Sequence, residues 1–201
     1  MSARQVPRTL WQSYKRQSIQ EAVVRLMCRE GLKSVTMERV AQEVGIAKGT
    51  VYLHYADKQE LLEAVKESAI APLMARIEEI FHGDGTAEKK LRACALRYLS
   101  YFDEHRDLFR ILLFEREVTR AKGSRSDRYR RLVHETSRVI ADGIRAGAFR
   151  DVDPPNVAAM FVDSEYAVMN QRLLNEKPAP VEDDAELIAG VFLQGLEKRK
   201  K

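Results

Sequence analysis

The sequence predicts an all-α protein of about nine helices, with a small N-terminal three-helix domain and a larger helical C-terminal domain. Three observations carry that expectation. Apolar residues recur at helical spacing from Ile19 to Leu196. No segment alternates apolar and polar residues as a half-buried strand does. Residues Thr36 to Lys58, TMERVAQEVGIAKGTVYLHYADK, read as two short helices about a glycine turn.

Residues 1–15 are basic, with Arg4, Arg8 and Lys15 but no long periodic pattern. They read either as a tail or, together with Arg16, as an arm that reaches a groove or phosphates. From Gln17 to Glu30 the positions Ile19, Ala22, Val23, Leu26 and Met27 fit one face of an amphipathic helix, closed by Gly31. Thr36 suits the cap of a helix Met37–Val44, which Gly45 ends by taking a left-handed backbone. Ile46, Val51 and Tyr55 continue the apolar face through a second short helix, Lys48–Tyr55. The expected small core is Ile19, Val23, Leu26, Met27, Met37, Val40, Ala41, Val44, Ile46, Val51 and Tyr55. In a helix-turn-helix the second helix enters the DNA major groove. Here it would present Lys48, Gly49, Thr50, Tyr52 and His54.

Asp57 with Glu60 is a helix start signal, and the stripe Leu61, Leu62, Val65, Ala69, Leu73, Ile77, Ile80 and Phe81 runs from it. Pro72 lies inside this helix and should kink it. A kinked connecting helix reads either as a lever or as a plain break. The domain boundary is therefore expected at Asp57, giving a helix-turn-helix domain over 1–56 and a helical domain over 57–201. Further helices follow around Leu91–Phe102, Leu108–Glu115 and Tyr129–Ile144. Residues 116–131 are dense in base and read as a solvated face or an anion contact. Asp153-Pro154-Pro155 opens a helix that is apolar nearly all round, and Leu187 to Leu196 forms the last.

Composition limits the function classes. At 45% hydrophobic and 32% charged residues, the chain can bury a core. Residues 1–60 hold 10 Lys/Arg against 6 Asp/Glu, while residues 61–201 hold 24 of each, so the whole +4 net charge lies around the helix-turn-helix. That is the charge distribution expected of a phosphate-binding module joined to a neutral domain. Cys28 and Cys94 have no metal-ligand spacing and read as reduced. His54, His82, His105 and His134 lie far apart, and no phosphate loop or nucleophile elbow occurs, so neither a metal site nor an enzyme is expected. No apolar run approaches the roughly 20 residues of a membrane span, and no signal peptide is evident, which predicts a cytoplasmic protein without a membrane partner.

The stretch Ile19 to Val65 resembles the N-terminal domain of the tetracycline-repressor (TetR) family of bacterial transcription regulators. The likeness rests on Gly31 with Thr36, Val40-Ala41, Val44-Gly45-Ile46, Lys48-Gly49-Thr50-Val51-Tyr52, His54-Tyr55, and Lys58 with Leu61-Leu62. It implies a ligand-responsive repressor that binds a palindromic operator as a homodimer and is released by a small, largely apolar effector, with no cofactor. Thr36 and Lys58 match phosphate-contacting positions and join Lys48, Gly49, Thr50, Tyr52 and His54 as the DNA-binding set. One recognition helix reads a half-site, so two copies are needed, spaced about 34–36 Å or a multiple apart. The expected dimer interface is Phe161, Val168, Leu187, Val191, Phe192 and Leu196, with Gly190 and Gly195 allowing close approach. The resemblance further implies an effector pocket, with Tyr98, Tyr101, Phe102, Phe109, Leu113, Met160, Tyr166, Met169 and Asn170 as candidate lining. The alternative is a helical ligand-binding or scaffold protein without sequence-specific DNA binding.

Overall fold

The computed structural model describes residues 8–114 and 127–197. Along them run α1 Arg8–Glu30, α2 Met37–Val44, α3 Lys48–Tyr52, α4 Lys58–His82, α5 Ala87–Glu104, α6 Arg106–Phe114, α7 Asp127–Arg145, α8 Pro154–Leu174 and α9 Val181–Leu196. The described residues contain no strand, and Phe149 and Glu197 form an isolated antiparallel bridge. Arg4 of the basic arm, and Arg116, Arg120, Lys122 and Arg125 of the basic run, lie outside the described residues. Residues 8–15 belong to α1, which starts well before Gln17. The apolar stripe begins only at Ile19 because Trp11 and Tyr14, though helical, stay exposed.

The chain divides into two compact units, Met1–Ile70 with Asp107–Ala121, and Ala71–Arg106 with Lys122–Lys201. The dividing line crosses α4 between Ile70 and Ala71, whereas the sequence placed the boundary at Asp57, where α4 begins. The helix runs through Pro72 as one element, although the ring leaves the Ser68 carbonyl without its amide donor.

In the first unit α1 packs on α2, and α2 on α3. Ile19, Val23, Leu26, Met27, Met37, Val40, Ala41, Val51 and Tyr55 are buried as expected, while Val44 and Ile46 are half-buried. Each fully buried Leu, Ile or Val side chain contributes roughly 1.5–3 kcal/mol. The local signals behave as their chemistry requires. The Thr36 hydroxyl accepts from the Arg39 amide at 3.2 Å. Gly45 takes φ 75°, ψ 35°, and the Ile46 amide reaches back to the Ala41 carbonyl at 3.0 Å, which closes α2. Asp57 accepts from the Glu60 amide at 2.8 Å, and the Glu60 carboxylate accepts from the Ala56 amide at 2.6 Å, a reciprocal cap at the start of α4.

In the second unit α5 packs on α7, α8 and α9, and α8 also packs on α7 and α9. The Thr86 hydroxyl caps α5 by accepting from the Lys89 amide at 3.3 Å. Asp153 occupies the cap position of α8 but bonds the Asn156 side chain instead of a helix amide, so Pro154 and Pro155 mark that start without a side-chain cap. At the other end, the Arg106 guanidinium donates to the Arg172 carbonyl at 2.6 and 2.7 Å and to the Asn175 carbonyl at 3.0 Å, satisfying carbonyls the helix leaves open. Arg172, 4% exposed, is held by Asp103 of α5 and Asp184 of α9. Helix α9 begins at Val181, earlier than the stripe from Leu187 suggested, with Glu182, Asp183 and Asp184 in its first turn complementing the helix dipole.

Candidate nucleic-acid interface

The helix-turn-helix holds α3 by its inward residues and leaves its other face to solvent. Val51 is fully buried, and Tyr55, 1% exposed, is fixed by the Gln20 side-chain amide donating to its hydroxyl at 3.0 Å and by Arg16 above its ring at 5.3 Å. Against that anchor Lys48, Gly49 and Tyr52 are exposed, and Thr50, His54 and Lys58 are half-buried. Nothing lies within 4 Å of a Cβ built on Gly49, so its backbone is open to close approach. Thr36 is exposed beside its cap bond. The Lys58 ammonium donates to the Leu32 carbonyl at 3.4 Å. The expected DNA-binding residues thus all lie in one compact unit, on or next to α2, α3 and the start of α4.

Two features of this face were not expected from the sequence. Lys48 pairs with Glu38 in the first turn of α2, and its ammonium also lies 5.7 Å from the centre of the Tyr52 ring. The hydrogen bond to Glu38 raises Lys48 above the usual lysine range, and the same bond lowers Glu38. A pair ten residues apart across a turn has no local sequence signature. Leu53 is the second feature, at 83% exposed the most open large apolar residue described. Its signal was available: it interrupts the apolar spacing between Val51 and Tyr55. Beside this face, Trp11 stacks on Tyr14 with centroids 6.0 Å apart, and Lys15 lies over the Trp11 ring. Burial, then Arg16 and Lys15, hold the His54 imidazole below its ordinary value, which favours its neutral form.

The candidate effector residues fall in both units. Phe109 and Leu113 belong to α6 in the first. In the second, Tyr98, Tyr101, Phe102 and Met169 are buried, and Tyr98 and Phe102 stack with centroids 5.1 Å apart. Met160 and Tyr166, also expected to line a pocket, are 62% and 51% exposed, because they sit on the outward side of α8. Asn170 is half-buried. The expected interface residues divide similarly. Leu187 and Val191 are 63% and 61% exposed, and Val168 and Phe192 are half-buried. Phe161 and Leu196 are buried in the chain's own core, where Phe161 packs edge-on against Phe192 at 5.3 Å, so they leave the expected interface set.

A unit in which α1, α2 and α3 form a helix-turn-helix with an outward-facing short helix, alongside a second all-helical unit in the same chain, defines the helix-turn-helix regulator class. Residues 19–65 match the model for bacterial regulatory proteins of the tetR family, and residues 84–168 match the tetracyclin repressor-like C-terminal domain. The chain belongs to the TetR family. A helix-turn-helix regulator of Haemophilus influenzae is 40% identical over 65 residues, which are 32% of this chain and 35% of that one. Two other relatives, from Staphylococcus aureus and Bacillus subtilis, are covered over 46% and 63% of their length. The Bacillus subtilis regulator YfiR aligns over 92% of this chain and 95% of its own, at 27% identity. Among solved structures, a TetR regulator of Haloarcula marismortui has a TM-score of 0.74 at 22% identity, covering 92% of this chain and all of that one. That likeness establishes the fold alone. Among the described residues no helix is long and apolar enough to cross a membrane.

Proposed function

We propose that the chain is a ligand-responsive transcriptional repressor that binds a palindromic operator as a homodimer and is released by a small, largely apolar effector. The observation that carries the DNA-binding part is the exposed surface at α3, where Lys48, Gly49 and Tyr52 project from the helix and Leu53 from its C-terminal cap, with Val51 and Tyr55 as the buried anchors. Lys48 would serve guanine edges or phosphate, and Leu53 the methyl group of thymine. Thr36 and Lys58 would hold phosphates and set the register. Trp11, Tyr14 and Lys15 extend the same reading to the backbone beside the main contact.

The dimer is supported by the outward faces of α8 and α9. Met160, Tyr166 and Leu174 on α8, with Leu187 and Val191 on α9, are each more than half exposed. Large apolar side chains left exposed on two adjacent helices are costly in water and suit a second copy. Nothing lies within 4 Å of a Cβ built on Gly195, and only the Glu186 side chain approaches Gly190, leaving both open to close packing. Effector binding in the second unit would be transmitted by α4, which contributes to both units and carries Pro72 beside the dividing line.

A mobility-shift titration on the DNA upstream of the chain's own gene tests this reading. The expected result is sequence-selective binding whose log affinity falls with log salt by roughly 0.9 per phosphate contacted. Lys48→Ala should weaken it about tenfold or more, as loss of a good base or phosphate contact does. Binding that ignores sequence, or none at low salt, leaves the scaffold reading instead.

A further inference from the structure

The second unit buries a carboxyl group that none of its neighbours satisfies. Glu165 lies on the inward stripe of α8, with Phe161 and Val162 a turn before it and Met169 a turn after, and it is 0% exposed. The Cys94 thiol of α5 interacts with it, yet neither carboxyl oxygen has a hydrogen bond of proper geometry among the described residues. Thr136 on α7 is likewise fully buried with an unpartnered hydroxyl. Both α5 and α7 pack on α8. Leaving such groups unpaired costs stability, and most buried polar side chains avoid it.

Other buried atoms of this unit also lack a hydrogen bond, Asp103 Oδ1 and Arg172 Nε among them, but those charges have an oppositely charged partner. Arg172 is met by Asp103 and Asp184, Arg92 by Glu88 and Glu186, and His82 lies 3.5 Å from Glu135. Arg128 of α7 acts on Tyr98, and Tyr98 and Cys94 are the titratable groups of α5 coupled to Glu165. A small-molecule site is mostly apolar with a few well-placed polar groups, and a lone carboxyl among Tyr98, Phe102 and Met169 has that composition.

We propose that Glu165 is the anchor for the protonated amine of an otherwise apolar effector held among α5, α7 and α8. This deepens the reading of the second unit as an effector domain and rests on it. An ammonium group brings three donors and a compensating charge, so it satisfies both carboxyl oxygens at once. An alcohol offers one donor, and a carboxylate ligand would meet a second acid. The binding step balances as the protonated amine plus the neutral Glu165 acid giving an ammonium–carboxylate pair and one proton released to solvent. Burial keeps the Glu165 proton on near neutral pH in the free chain, its value pushed up to about 8.

The test is calorimetric titration of the full chain with octylamine and 2-phenylethylamine, against 1-octanol and 2-phenylethanol. Each amine should bind about tenfold or more tighter than its alcohol at pH 8, the ratio expected of a charge-assisted hydrogen bond. At pH 7, titrations in phosphate and in Tris should differ by the heat of about one proton released per amine bound. Glu165→Gln should lose both the preference and the proton release while melting at least as high as the native chain at pH 6. Equal affinity for amine and alcohol, no amine binding, or a Glu165→Gln chain that keeps the preference each overturns the proposal. The comparisons on the native chain need no variant to fold. A chain that binds upstream DNA but no amine loses only this inference; one that binds the amines but no DNA keeps it and loses the regulator reading.

Discussion

At Lys48 the free chain holds the ammonium against Glu38, so under the proposed reading a phosphate or base has to displace that carboxylate. Both groups are about half exposed, and such a pair is weak. Its cost to DNA binding therefore lies mainly in the negative charge it leaves on the face. Glu38→Gln should tighten DNA binding severalfold at low salt, with the gain shrinking as salt is raised; an unchanged or weakened affinity in the shift assay would contradict this. Glu165 makes a prediction of a different kind. Burial raises its value from 4.5 to about 8, so the folded state favours the neutral acid. Its stabilising contribution is fully present below pH 4.5 and is lost as pH rises through 8, on the order of 5 kcal/mol in total. Chemical denaturation between pH 5 and 9 should show a decline in the native chain that Glu165→Gln lacks.

Among the helices, the tightest constraint is at Gly143 of α7. A Cβ there would lie 2.3 Å from the Phe149 ring and 3.0 Å from Ala87, and Phe149 is 4% exposed and cannot swing out. Gly143→Ala should cost about 1–3 kcal/mol and lower the melting temperature by several degrees, despite its better helix propensity. A thermal scan with Tm unchanged or raised would refute the contact. The helices themselves were largely legible, because a buried stripe imposes its own period on the chain. The starts of α1 and α9 were not. Trp11 and Tyr14 lie on an exposed stretch with no core to pattern it, and the three acids opening α9 signal a dipole instead of a stripe. Asp153 shows the opposite failure, since a residue of capping type took a side-chain partner instead.

For the molecule as a whole, the proposed function needs a second copy to place a second α3. If the outward faces of α8 and α9 join two protomers, Val191→Asp puts a charge into an apolar seam and should shift the chain to monomer in sedimentation. DNA affinity should fall with it, while the melting curve of a dilute sample stays near the native one. A Val191→Asp chain that remains dimeric would move the interface elsewhere. The sequence by itself determined the all-helical class, the glycine turn, the capped start of α4 and the anchoring of α3 by Val51 and Tyr55, because spacing and capping act within a few residues. Only the tertiary structure decided which apolar residues of α8 and α9 face inward, since an all-round apolar helix carries no preferred side in its spacing. It turned Phe161 and Leu196 into core and left Met160 and Tyr166 outside. It also buried Glu165 beside the Cys94 thiol with no hydrogen bond of proper geometry to its carboxyl oxygens among the described residues, which depends on what three other helices bring to it and not on anything in its own segment.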